Sequence, residues 1–177
     1  MPDRYPAIED HAVIGDLHTV ALVATDGTID WCCLPRFDSP AVFASLLDAD
    51  RGGCFAVRSE AVRTRQLYMP DTNVLVTRFL GTDWVGEVVD FMVPRHPGNP
   101  PAHPGPLLVR RLRAVRGTVD FTITGVQAGL VLRASQRFSV AGPAATATIT
   151  LGPGKAWTSF WSGAAGRSRR RRERPTG

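Results

Sequence analysis

Three carboxylates fall close together in DGTIDWCCLPRFDSP, residues 26–40: Asp26, Asp30 and Asp38. Glycoside hydrolysis uses two such groups flanking the scissile bond, one with a raised pKa. Trp31, in the same stretch, offers an apolar ring face to a sugar. Arg36 and Asp38 carry charged groups, which form strong hydrogen bonds to hydroxyls. Each residue also has a local explanation. Asp26 precedes Gly27 as a turn residue, and Asp30 sits in a strand beside Trp31. Asp38 lies on a loop, where it pairs with Arg36 or bonds backbone amides, as Asx side chains do in turns. Trp31 is also a large core residue. The residues thus supply no identifiable catalytic set. Trp31, Arg36 and Asp38 are the candidates for the rim of a sugar pocket or for a domain interface.

Other chemistries are thinly represented. The chain has three cysteines, Cys32, Cys33 and Cys54, too few for a disulfide framework and without CxxC or HxxxH spacing for zinc. Adjacent residues of a strand point to opposite faces, so at least one of Cys32 and Cys33 is expected to act as a small buried hydrophobe. His96 and His103 lie seven apart in a proline-rich stretch with no further ligand nearby. No GxSxG, P-loop, GxGxxG or HExxH occurs. No cofactor and no metal site is expected.

The elements that must position these residues read as strands. TVALVAT (19–25) and TIDWCCL (28–34) flank Asp26-Gly27, a hairpin signal that predicts a type I′ turn with positive φ at both central residues. Ser39-Pro40 reads as an N-cap followed by proline at the first helical position. Val42, Phe43, Leu46 and Leu47 then recur at helical spacing, which predicts a short helix over about 40–48. CFAVRS, VRTRQLYM, NVLVTRFL and WVGEVVDFMV follow as strands, with GTD (81–83) closing a second hairpin. Residues 94–106, with six prolines, form an exposed excursion, because proline cannot donate to a ladder. LLVRRLRAVR, TVDFTITGV, LVLRAS, RFSVAG, ATATITL and AWTSFW continue the strand pattern. Strands at this spacing predict an all-β, mainly antiparallel β-sandwich with one short helix.

The 177 residues suffice for one domain, placed at 1–162. The net charge of +5 resides in RSRRRRERPTG (167–177), with six Arg and one Glu; the rest is balanced. The expected tail, 163–177, is disordered and basic, because like charges and low hydrophobicity do not offset ordering entropy. The N-terminus lacks the apolar core of a signal peptide, and no run approaches the length of a membrane span. The expected location is the cytoplasm.

PAIEDHAVIGDLHTVALVATDGTIDWCCLPRFDSPAVFASLLD, with YMPDTNVLVTRF, VVDFMVPR and LLVRRLRAVRGTVDF, resembles the N-terminal domain of trehalase-like and glucoamylase-like enzymes of glycoside hydrolase family 15. The resemblance covers residues 5–124. It implies an N-terminal antiparallel β-sandwich followed by an (α/α)6 barrel, whose two glutamates hydrolyse α-glucosides with inversion. It implies that this chain, too short to include the barrel, is a noncatalytic and truncated piece whose partner is that barrel. The quick passage from VDFTIT to GVQAGLVLRAS departs from the family, and the tail resembles out-of-frame translation. Two other functions remain open: a free-standing module binding an α-glucoside, and nonspecific polyanion contact through the Arg tail, which would weaken steeply with salt.

Overall fold

The computed structural model describes residues 5–95, 105–125, 130–134, 140–141 and 144–163. Fourteen strands, all paired antiparallel, build two sheets among these residues. They are β1 His11–Gly15, β2 Val20–Ala24, β3 Ile29–Cys33, β4 Ala41–Phe43, β5 Phe55–Arg58, β6 Arg63–Tyr68, β7 Leu75–Leu80 and β8 Val85–Met92. The remainder are β9 Leu107–Arg116, β10 Val119–Gly125, β11 Leu130–Ala134, β12 Val140–Ala141, β13 Ala144–Leu151 and β14 Ala156–Gly163. The first sheet runs β1-β2-β3-β5-β10-β13-β12, with β4 beside β3; the second runs β11-β14-β9-β8-β7-β6. The expected all-β sandwich is therefore the fold. The sequence fragments from CFAVRS through AWTSFW coincide with β5–β14. His96, His103 and the Arg tail lie outside the described residues.

One core fills the space between the sheets. Val88 and Met92 of β8 and Leu108 and Leu112 of β9 face it from one sheet; Phe55, Phe121 and Ile123 face it from the other. Phe79 meets Phe121 edge-on, with centroids 6.2 Å apart. At the centre lies a charge, Arg110, fully buried with Asp90. Its Nε and Nη2 donate to the two Asp90 carboxylate oxygens at 2.8 and 2.9 Å. Nη1 donates to the Phe55 carbonyl at 2.6 Å and Nη2 to the Gly27 carbonyl at 2.5 Å. The guanidinium also lies 4.8 Å from the Phe55 ring centroid. One side chain of the second sheet thus ties down β5 and the β2–β3 hairpin of the first.

Two local expectations fail. The β2–β3 hairpin forms, but its turn is not type I′. Among its residues only Gly27 has positive φ, at 84°. Gly27 N–H donates to the Ala24 carbonyl and Ala24 N–H to the Thr28 carbonyl, both at 2.8 Å. Three residues therefore make the turn, with glycine in the left-handed position. Asp26 accepts the Thr28 N–H at 2.9 Å. The predicted helix over 40–48 is absent. Ala41–Phe43 is strand β4, paired with β3 through Cys32–Phe43 and Cys33–Ala41. Ser39 does not cap: its N–H and Oγ bond the Arg36 carbonyl and N–H in a reverse turn. Residues 44–53 close on themselves through Ala44 N–H to the Gly52 carbonyl and Gly52 N–H to the Asp48 carbonyl. The helical spacing misleads because Phe43 is buried by the sheet, stacked on Phe55, whereas Leu47 is 70% exposed.

Candidate functional site

A β-bulge shapes β3. Leu22 pairs with Trp31 and Val23 with Ile29, so Asp30 is an extra residue in the strand. Ile29 and Cys32, three apart, consequently both face the core. Trp31 falls opposite Leu22, away from the inward-facing Ala21 and Val23, and is half-buried. A bulge bends a strand and re-aims its side chains; here it turns Trp31 out of the core. Cys32 and Cys33 are both buried. Burial pushes the Cys32 thiol up to about 12, aided by the neighbouring Cys33 and Asp16, so it is a packing group and not a nucleophile.

The segment after β3 is pinned by backbone and side-chain bonds. The Leu34–Pro35 peptide is cis. Arg95 donates through Nη2 to the Pro35 carbonyl at 2.8 Å and through Nε to Asp16 Oδ2 at 2.6 Å. Asp16 is itself buried, and its Oδ1 accepts the N–H groups of His18 and Thr19. Phe37 N–H donates to the His18 carbonyl at 3.1 Å. On this support Arg36 and Asp38 form a forked pair, Nε to Oδ1 at 3.0 Å and Nη2 to Oδ2 at 3.2 Å. The Arg36 hydrogen bond holds the Asp38 carboxyl below its ordinary pKa, against a small opposing effect of burial. Phe37, between them, is 69% exposed. The structure therefore joins Arg36 to Asp38 and presents Phe37, while Trp31 stays on β3 and shares no side-chain hydrogen bond or ion pair with either. Phe37 carried no distinct signal in the sequence, since an apolar residue near a strand end is usually buried.

Asp30, the bulge residue, is 3% exposed. Its Oδ2 lies 2.8 Å from His11 Nε2. His11 Nδ1 lies 2.8 Å from the Ala7 carbonyl, which only accepts, so Nδ1 carries a proton. A proton must then sit between Nε2 and Oδ2, either on the ring beside a carboxylate or on the acid beside a neutral ring. Burial opposes charge on the ring, but the hydrogen bond and charge of Asp30, with the Ala7 and Ile8 carbonyls, outweigh it and raise the His11 pKa. Burial raises that of Asp30 against the opposing effect of His11. His11 was not legible as a partner because nineteen residues separate it from Asp30.

The other deeply buried acids are also matched to bases. Asp16 holds Arg95, and Asp90 holds Arg110. Glu87 is shared between Arg78 and Arg113, its register neighbours on β7 and β9. Each of the buried carboxylates Asp16, Asp30, Glu87 and Asp90 is thus paired with a basic side chain. No cluster of three or more potential metal ligands occurs among the described residues. No described helix is long and apolar enough to cross a membrane.

A two-sheet antiparallel sandwich with internally matched acids places the chain in the all-β class of domains. Its sequence is more specific. Residues 2–122 match the trehalase-like N-terminal family, and the chain belongs to that family. It is 29% identical over 156 residues to a trehalase of Mycolicibacterium smegmatis, covering 79% of this chain and 23% of that protein. It is 49% identical over 81 residues to a trehalase of Thermoplasma volcanium, covering 44% of this chain and 13% of that protein. A trehalase of Thermoplasma acidophilum is 50% identical over 78 residues. The chain thus spans less than a quarter of the length of these relatives. No solved structure matches it.

Proposed function

We propose that this chain is the noncatalytic N-terminal sandwich, residues 1–162, of a trehalase-like α-glucoside hydrolase. In that reading it packs on an (α/α)6 catalytic barrel and helps to shape the rim of the sugar site. Glycoside hydrolase family 15 is the proposed parent, with both catalytic glutamates outside this domain, and the cytoplasm is the proposed compartment. The single observation that carries the reading is the Pro35–Asp38 corner. It is held by Arg95, Asp16 and His18, yet it holds Phe37 out to solvent between a self-paired Arg36 and Asp38. A rigid loop with an exposed aromatic suits docking, because little ordering entropy is lost when a partner covers it. Arg36 and Asp38 would supply hydroxyl-directed hydrogen bonds, and Trp31, on β3, an apolar ring face.

Two measurements test this. The purified chain should not turn over trehalose or maltose, and turnover would overturn the noncatalytic assignment. In a chimera replacing the matched region of the Mycolicibacterium smegmatis trehalase with this domain, Phe37→Ser should lower trehalose hydrolysis without changing the thermal unfolding of the isolated domain. Unchanged hydrolysis would refute the corner as a docking element.

A further inference from the structure

The two faces of the second sheet carry different side chains. Leu75, Phe79, Val88, Leu108, Leu112 and Trp157 point into the core, so the residues alternating with them point outward. Strand register sets those outward residues in rows. One row runs Arg65 on β6, Arg78 on β7, Glu87 on β8 and Arg113 on β9. Arg63 and Arg111 stand in the rows on either side, opposite Leu80 and Val89. Glu87 is the one acid of this face among the described residues. Five arginines against one glutamate leave four positive charges uncompensated, although residues 1–166 hold equal numbers of basic and acidic side chains.

The arginines are of two kinds. Arg78 and Arg113 are fixed, because the Glu87 carboxylate, 1% exposed, accepts from Arg78 Nε at 2.7 Å and from Arg113 Nε at 2.5 Å. Both arginine side chains stay 43% exposed, and a guanidinium has donors left for a second acceptor. Their ordering entropy is lost on folding rather than on binding. Arg63, Arg65 and Arg111 are exposed and have no carboxylate partner among the described residues. Leu67 on β6 and Phe160 on β14, at opposite sides of this face, are 43% and 39% exposed. Arginine beside an exposed aromatic ring is the composition of a protein contact. A nucleic-acid backbone is met by charge and would leave Leu67 and Phe160 uncovered. Neighbouring strands lie about 4.8 Å apart, so Arg65 and Arg113 stand three strands, about 14 Å, from each other. A helix laid across the strands presents side chains i and i+4 about 6 Å apart. It sets one carboxylate over Arg65, the next over Arg78 and, about two turns further, one over Arg113. We propose that the outward face of the second sheet docks an acidic amphipathic helix of a partner protein, whose carboxylates meet Arg65, Arg78, Arg111 and Arg113 and whose apolar side chains cover Leu67 and Phe160. This surface shares no residue with the Pro35–Asp38 corner and does not depend on which enzyme the chain belongs to.

The probe is a synthetic helical peptide of about 20 residues, with a stripe of glutamates flanked by leucines. Its controls are the same peptide with glutamine for glutamate and a single-stranded oligothymidine. Each is titrated into the full chain, followed by backbone amide shifts in NMR. The acidic peptide should give saturable shifts on β6–β9, centred on Arg78, Val89 and Arg111, that weaken as salt rises. The glutamine peptide should give none. Arg65→Glu with Arg111→Glu should leave the unfolding temperature unchanged, since neither arginine pairs with a described carboxylate. It should weaken peptide binding about tenfold, and the basic tail is intact in that variant, so the loss is assigned to this face. Arg36→Glu, at the corner, should leave binding unchanged. Absence of saturable shifts, shifts confined to the tail or the corner, equal binding of the glutamine peptide, undiminished binding by the double variant, or tighter binding of oligothymidine at the same residues would each overturn the proposal.

Discussion

Arg110→Met is the most informative perturbation of this fold. Methionine keeps much of the length and apolar stem of arginine but no donor. It leaves the Asp90 carboxylate buried and unpaired, and deprives the Phe55 and Gly27 carbonyls of their Arg110 partner. Breaking a buried pair from one side costs about 3–5 kcal/mol, and each stranded buried acceptor adds about 1–3 kcal/mol without strict additivity. Against a total stability of about 5–15 kcal/mol, the variant should lose a third or more of its stability. With a urea slope of about 2 kcal/mol/M, a 4 kcal/mol loss moves the midpoint by about 2 M. The double variant Asp90→Leu with Arg110→Met removes the stranded charge and should recover much of the loss, because apolar replacement of a buried pair is often neutral. Urea unfolding followed by tryptophan fluorescence measures all three proteins. A loss below about 1 kcal/mol for Arg110→Met, or a double variant no better than the single one, would refute the clamp as an inter-sheet tie.

Gly27→Ala forces a Cβ into a residue at φ 84°, within 2.9 Å of the Val57 carbonyl oxygen and 3.1 Å of Phe79 Cζ; thermal unfolding should show a loss above about 1 kcal/mol, and an unchanged unfolding temperature would contradict the turn geometry. The His11–Asp30 pair sets a pH dependence. The folded pKa of His11 is raised, so its contribution is complete below the ordinary value of 6.5 and disappears as pH rises through the folded value. Asp30, also raised, acts with the same sign from its ordinary 3.8 upward. The urea midpoint of the native protein, compared with His11→Gln, should therefore fall as pH rises above 6.5, and parallel curves would count against the pair.

Much of the architecture was legible along the chain. β-Branched alternation, Asp26-Gly27 and GTD marked strands and hairpins, because period-two burial and turn chemistry are local properties. Ser39-Pro40 and the spacing of Val42, Phe43, Leu46 and Leu47 pointed to a helix. The same residues serve as a strand because β3 offers an edge that buries Phe43, a choice that only the neighbouring strand makes. Arg36 and Asp38, two apart, were recognisable as a pair; the exposure of Phe37 was not, because it depends on Arg95 and His18 from elsewhere in the chain.

The all-β class, the approximate strand positions and the family of this chain are written in the order of its residues. The tertiary structure decided which charges matter. Asp30 with His11, Asp90 with Arg110, and Asp16 with Arg95 are each separated by at least nineteen residues, and their type and spacing carry no mark of the pairing. Strand order brings them together, and burial makes each partner obligatory, since a carboxylate removed from water is stable only beside the base that neutralises it.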